Sequence, residues 1–367
     1  MTIATDFGDV RRGPARGPAG EEELRFIRNF HDVFLSIGLA LFAVGLGIVT
    51  TLIVFEGADL DGVEAVREAG WTLAGAAYLD AAVMWLLAEF FARGRRLFLP
   101  AIVILLAFTW FFIVGTAASY VLFFSEEIGE AEDALRQLKA MPWTVGVATT
   151  VAILAYYLRM KLPFAMGLAG VSIAATGTFA VGYLAPDLLV SAATAFQFAA
   201  GLFLFLLGVA FDARDPARRT RYSDNAFWLH FFAAPLIFSS VMTFVGGGVL
   251  PLTQDATSGV GAPAAAIISL VVVIAFAIVS LLINRRALLV AGLLSAAVAI
   301  AILIREVGMS GAWTGAVTLL TLGGAMVLLG AGWHAVRRIL VAPFPKTGLI
   351  ARIIPPEPEP GEGLNDE

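Results

Sequence analysis

Ten continuous apolar runs dominate this chain, and they make lipid the solvent for most of its surface. They cover residues 30–55, 71–92, 98–124, 142–158, 163–184, 188–211, 226–245, 263–283, 287–304 and 313–336. Each holds about 17 to 27 residues, enough for a helix to cross a hydrocarbon core of roughly 30 Å. The runs do not alternate apolar with polar residues, which argues against the strands of a barrel. Composition agrees. Of 367 residues, 59% are hydrophobic and 14% charged, where a soluble domain carries about 25% charge. The fold class expected is all-α, a polytopic transmembrane helical bundle of about ten spans.

The charges orient it. With ten spans and the N-terminus inside, 20 of the 24 Lys and Arg residues fall in cytoplasmic segments. Only Arg67, Arg136, Lys139 and Arg305 fall outside. Even placement would give near equality, so the asymmetry points to an N-in, C-in arrangement. Acids fill the first two outer loops, with Glu56, Asp59, Asp61, Glu64 and Glu68 in one and Glu126, Glu127, Glu130, Glu132 and Asp133 in the other.

Three regions follow: a cytoplasmic tail over 1–29, a transmembrane domain over 30–340, and a Pro-rich acidic cytoplasmic tail over 341–367. Both tails are too poor in apolar residues to build a core and are expected to be disordered. The polar start and the long first run do not fit a cleavable signal peptide, so the first span is expected to stay as an anchor. Residues 126–140 carry Ile128, Ala131, Leu135 and Leu138 at helical spacing, which predicts a short amphipathic helix on the outer surface. The second to ninth spans pair through short basic turns, a degenerate hairpin repeat with the first and last spans as additions.

Three stretches, residues 223–235 (SDNAFWLHFFAAP), 330–338 (GAGWHAVRR) and 86–96 (LLAEFFARGRR), resemble segments of uncharacterised multi-spanning bacterial inner-membrane proteins. The resemblance implies a multi-pass location in the bacterial inner membrane and brings no chemistry with it.

Polar residues inside the runs are the functional candidates. Asp80 lies near the middle of the second span, more than about 12 Å from either surface. A carboxylate at that depth costs about 2.5–3.5 kcal/mol on insertion scales, so it must face the bundle or a water-filled cavity. It is then either an acid coupling proton or cation movement, or a buried acid bonded to a Ser, Thr or Tyr that locks two helices. Glu89 is nine residues on, half a turn off, and so on the opposite face. It shares its face with Tyr78 and Trp85, and its simplest partner is Arg93 at i+4. Gln197 sits mid-membrane in the sixth span, where an amide usually bonds to a neighbouring helix. His31, His230 and His334 all fall near the cytoplasmic surface. His230, one turn into the seventh span, suits a bond to backbone or headgroup better than a metal site, because no two histidines have HxxxH spacing. Ser223 or Asp224 is expected to cap the seventh helix. Pro235 should kink it.

Gly38 with Gly45, and Gly323 with Gly330, have the heptad spacing of tight helix contacts. The glycines at 167, 170, 177 and 182 mark the fifth span as the one expected to bend or unwind.

Little here points to an enzyme. The chain has no cysteine, which excludes disulfides, thiolate metal sites and a Cys nucleophile. HExxH, GxSxG and GxxxxGK[ST] are absent. Gly308-Met309-Ser310-Gly311 resembles the nucleophile turn of rhomboid proteases, but it lies on the side opposite every histidine and reads as a turn. No catalytic residue, cofactor, metal or nucleic-acid partner is implied. Three readings stay open: a small-solute or ion permease using Asp80, a non-catalytic scaffold or assembly protein, and, third, a membrane-embedded enzyme. The partners expected are the lipid bilayer, a small solute or cation for a permease, and a protein docking on the C-terminal tail.

Overall fold

A hydrocarbon core offers no water to backbone N–H and C=O groups, so a spanning segment must satisfy them internally. The computed structural model, which describes residues 30–56, 63–125, 131–216, 218, 220–244, 262–285 and 287–356, does this with helices throughout. In chain order they are α1 (Phe30–Phe55), α2 (Val63–Ala88), α3 (Phe98–Ser125), α4 (Ala131–Met160), α5 (Pro163–Leu184), α6 (Pro186–Asp212), α7 (Arg221–Phe244), α8 (Ala262–Ile283), α9 (Ala287–Glu306), α10 (Gly311–Val341) and α11 (Gly348–Ile353). A π-helical turn, Glu89–Gly94, ends α2. Among the described residues, eight helices, α1–α6, α8 and α10, are long and apolar enough to cross a membrane. α7 and α9 cover the seventh and ninth apolar runs.

Burial is inverted relative to a soluble helix. On α1 the buried side chains include Asp32, Ser36 and Thr50, while Phe34, Ile37, Leu41 and Ile53 are exposed. α8 buries Ser269 and Ser280 and exposes Ile267, Val271 and Ile274; α10 buries Thr314 and Thr318 and exposes Leu319, Leu320, Val327 and Leu328. Apolar surface on this scale is not left to water. Ser36, Thr50, Ser280 and Thr314 turn inward to bonds that lipid cannot give. These are the helices of a multi-pass membrane protein.

The described residues form two compact units that meet in the chain at Ala192 and Ala193. Ala192 has φ −123° and ψ 21°, which interrupts α6 at that point. In the N-terminal unit α2 lies along α3, α4 along α5, α3 meets α4, and α1 covers both α2 and α3. In the C-terminal unit α8 lies along α9, α9 also meets α7 and α10, and α6 meets α7 where Gly201 faces Leu236 and Ile237.

The hairpin repeat has a structural counterpart. Among the described residues, the non-glycine positions with positive φ are Arg96 (54°), Lys161 (55°), Arg218 (54°) and Asn284 (56°). One stands in each of the turns α2–α3, α4–α5, α6–α7 and α8–α9. A left-handed residue after a helix ends it and reverses the chain in few residues.

Several expectations need correction. Residues 131–140 are not a separate surface helix: they are the first turns of α4, which runs on through Pro142; residues 126–130 lie outside the described set. α5 is unbroken, and the interrupted helix is α6. Gly38, Gly45, Gly323 and Gly330 have no atom within 4 Å of an added Cβ, so the tight contacts lie elsewhere. They fall at Gly115 under the Tyr78 ring, Gly146 against Thr176, Gly201 against α7 and Gly208 under the His230 ring. Within the C-terminal tail, α11 is ordered helix, and the Pro355 carbonyl accepts from Arg337. The tail over 1–29 and residues 357–367 lie outside the described set.

Candidate functional site

Asp80 meets α1. Thr50 Oγ1 donates to its Oδ2 at 2.6 Å, and the residue is 5% exposed. The bond ties α2 to α1 through a carboxylate and a hydroxyl.

Glu89 lies on the other face. Its position in the π turn lets two arginines reach one carboxylate: Arg93 Nη1 donates to Oε2 at 3.1 Å, and Arg159 Nε, from the end of α4, donates to Oε1 at 2.6 Å. The i+4 partner expected from spacing is present. Arg159 is a partner that spacing does not predict, because nothing in it says which hairpins are neighbours. The pair is about a quarter to half exposed.

Above it, on the face shared by Tyr78 and Trp85, α2, α3 and α4 line an open cleft of about 410 Å³. Its size falls within the usual range for ligand pockets, about 300–1,000 Å³. Phe108 and Phe112 of α3 line it, and Ala81 and Ala82 of α2 face Ala148, Ala152 and Ala155 of α4. The alanines leave the space. The aromatics are held edge-on, Trp85 to Phe108 at 5.4 Å and to Tyr156 at 5.7 Å between ring centroids, a favourable arrangement for π systems. Tyr78 donates to Thr116 Oγ1 at 3.3 Å, with its ring seated on Gly115. Asp80 does not line this cleft.

The C-terminal unit holds a more deeply buried polar cluster. Asp212 ends α6. Arg285, in the α8–α9 turn and 1% exposed, donates from Nε to Asp212 Oδ2 at 3.0 Å and from Nη2 to Oδ1. His230 Nε2 meets the same Oδ2 at 3.1 Å. Arg285 Nη2 also donates to the Ser223 carbonyl and hydroxyl, both at 3.1 Å. Ser223 and His230 are seven residues apart on α7, so they share a face.

His230 is fully buried, not turned to backbone or headgroup as its depth suggested, because Gly208 leaves room for its ring and Phe205 packs on it at 5.1 Å. Ser223 and Asp224 lie inside α7; the residue before it, Thr220, accepts from the Tyr222 N–H at 3.3 Å and is itself held by Asp215.

The surrounding arginines satisfy the end of α8. Arg218 donates to the Ile283 carbonyl at 3.0 Å and Arg337 to the Leu281 carbonyl at 3.0 Å. Trp333 Nε1 donates to Asn284 Oδ1 at 3.1 Å. The last carbonyls of a helix have no partner within it, and buried ones need such donors. Residues 223–235 and 330–338 thus converge on one turn. Residues 86–96 hold the corresponding link in the other unit, again an acid at the end of one hairpin's first helix bonded to an arginine at the next hairpin's turn.

Gln197 Nε2 donates to Ser239 Oγ at 2.6 Å, an α6–α7 bond of the kind expected. His31 is exposed and His334 half-buried. Among the described residues no three His, Asp or Glu side chains are grouped to hold a metal ion. Comparison with known proteins finds no matching family model, no matching curated protein and no matching solved structure.

Proposed function

We propose that this chain is a ten-span protein of the bacterial inner membrane with both termini in the cytoplasm, and that it acts as a non-catalytic scaffold or assembly protein. The orientation is supported by the 20 basic residues that ten spans place inside. Reporter fusions after Ser125 and after Arg286 are expected to report opposite sides; matching sides would remove the ten-span topology.

The observation that carries the scaffold reading is the Thr50–Asp80 bond. An acid that couples transport has to exchange protons or cations with a water-filled path. Here the deepest acid is tied to α1 and stands apart from the cleft. Asp80→Asn is expected to leave the melting temperature nearly unchanged, because an amide oxygen still accepts from Thr50. Asp80→Leu is expected to cost about 1–3 kcal/mol by leaving that hydroxyl without its acceptor. Proteoliposomes in which Asp80→Asn abolishes a proton-coupled uptake seen for the parent would overturn the scaffold reading in favour of the permease. The permease keeps one observation on its side, the cleft itself, although its aromatic and alanine walls suit an apolar or amphiphilic guest and not a hydrated ion.

A further inference from the structure

The cleft of the N-terminal unit is apolar along its length, and arginines stand about one helical turn beyond its Trp85 and Ala155 end. Tyr78, Trp85 and Glu89 follow one another down a single face of α2 at helical spacing, and Ala148, Ala155 and Arg159 do the same on α4. From Ala148 to Arg159 is roughly 16 Å along the axis. At that end Glu89 takes one N–H from each of Arg93 and Arg159. The remaining guanidinium N–H groups of both have no acceptor among the described residues, and their side chains are 46% and 49% exposed. Arg95, Arg96 and Lys161 are exposed in the two adjoining turns. Glu89 is the one carboxylate bonded within the group of Arg93, Arg159, Arg95 and Arg96, so this region beyond the cleft is positive.

An aromatic-floored slot with arginines one helical turn beyond its end matches a molecule with an alkyl chain and an anionic head. We infer that this cleft binds an anionic phospholipid, one acyl chain lying between α2 and α4 over Phe108 and Phe112, and the phosphate bridging Arg93 and Arg159. The planar fork of arginine suits two phosphate oxygens at once. A zwitterionic lipid offers the same chain with an ammonium that the cationic rim repels. The inference rests on the membrane reading above and is independent of the scaffold reading.

The test uses the purified full chain in a neutral detergent, with thermal unfolding followed against added lipid. Phosphatidylglycerol is expected to bind about tenfold more tightly than phosphatidylcholine of the same chains, the scale set by basic residues near an anionic headgroup. Arg93→Gln with Arg159→Gln is expected to reduce phosphatidylglycerol to the phosphatidylcholine level. Ala155→Phe and Val151→Phe fill the slot from its exposed rim and are expected to remove the selectivity with the lipid-free melting temperature unchanged. Equal binding of the two lipids, selectivity that survives the filling variants, or an equal shift from inorganic phosphate alone would each overturn the site. A phosphatidylglycerol with a photoactivatable acyl chain avoids the variants altogether: label on α2, α3 and α4 supports the site, and label only elsewhere overturns it. Failure of the membrane reading would look different, because the chain would stay dispersed with no detergent present.

Discussion

Arg285→Met is expected to be among the most destabilising single changes in the chain, at about 3–5 kcal/mol, the usual cost of removing one partner from a buried ion pair. The guanidinium is 1% exposed and meets Asp212 through two nitrogens. Without it the carboxylate keeps only His230, and the Ser223 carbonyl loses its donor. Adding Asp212→Asn to the same chain is expected to restore part of the loss, because no unpaired charge is left to bury. The corresponding pair in the N-terminal unit sets the contrast. Glu89 and Arg159 are 27% and 49% exposed, so Glu89→Gln is expected to cost about 0–1 kcal/mol. Denaturant unfolding in micelles measures both. Equal losses at the two pairs would show that burial is not what separates them.

That contrast also shows where the sequence stops being informative. Run length and charge asymmetry report on each segment by itself, so the ten apolar runs fall on ten helices, with α1 ending at the expected residues. Local pairs were equally readable: Glu89 with Arg93 needed only i+4 spacing. The partners of buried groups were not readable, because they depend on which hairpins are neighbours. Arg159 lies 70 residues from Glu89 and Arg285 lies 73 from Asp212, and no periodicity relates such distant positions. Asp212 is inconspicuous in the sequence for a related reason. At the end of its run it resembles any charge marking a membrane boundary, and only the fold shows Arg285 and His230 closing over it. The seven-residue spacing of Ser223 and His230 was the one available signal that α7 presents two polar groups to the same neighbour.

Glycine spacing misled in the same way, and the correction carries the last prediction. A heptad pair such as Gly323 and Gly330 marks a smooth helix surface but does not say that a helix lies against it. Gly201 belongs to no such pair, yet a Cβ there would meet the Ile237 amide nitrogen and the Leu236 Cβ at 2.9 Å, and Ile237 Cγ1 at 2.8 Å. Two of those three atoms cannot swing away, so α7 itself would have to retreat. Gln197 and Ser239, one helical turn along the same contact, would then be drawn apart from their 2.6 Å bond. Gly201→Ala is therefore expected to cost about 1–3 kcal/mol, the range for forcing extra volume into a packed contact. Gly323→Ala meets nothing within 4 Å and is expected to be neutral or to stabilise by up to about 1 kcal/mol through helix propensity. The two substitutions add the same methyl group and are predicted to move the melting temperature in different directions. A drop of equal size at Gly323 would mean that a second helix does cover that face of α10, and the small-residue surface would then be a contact after all.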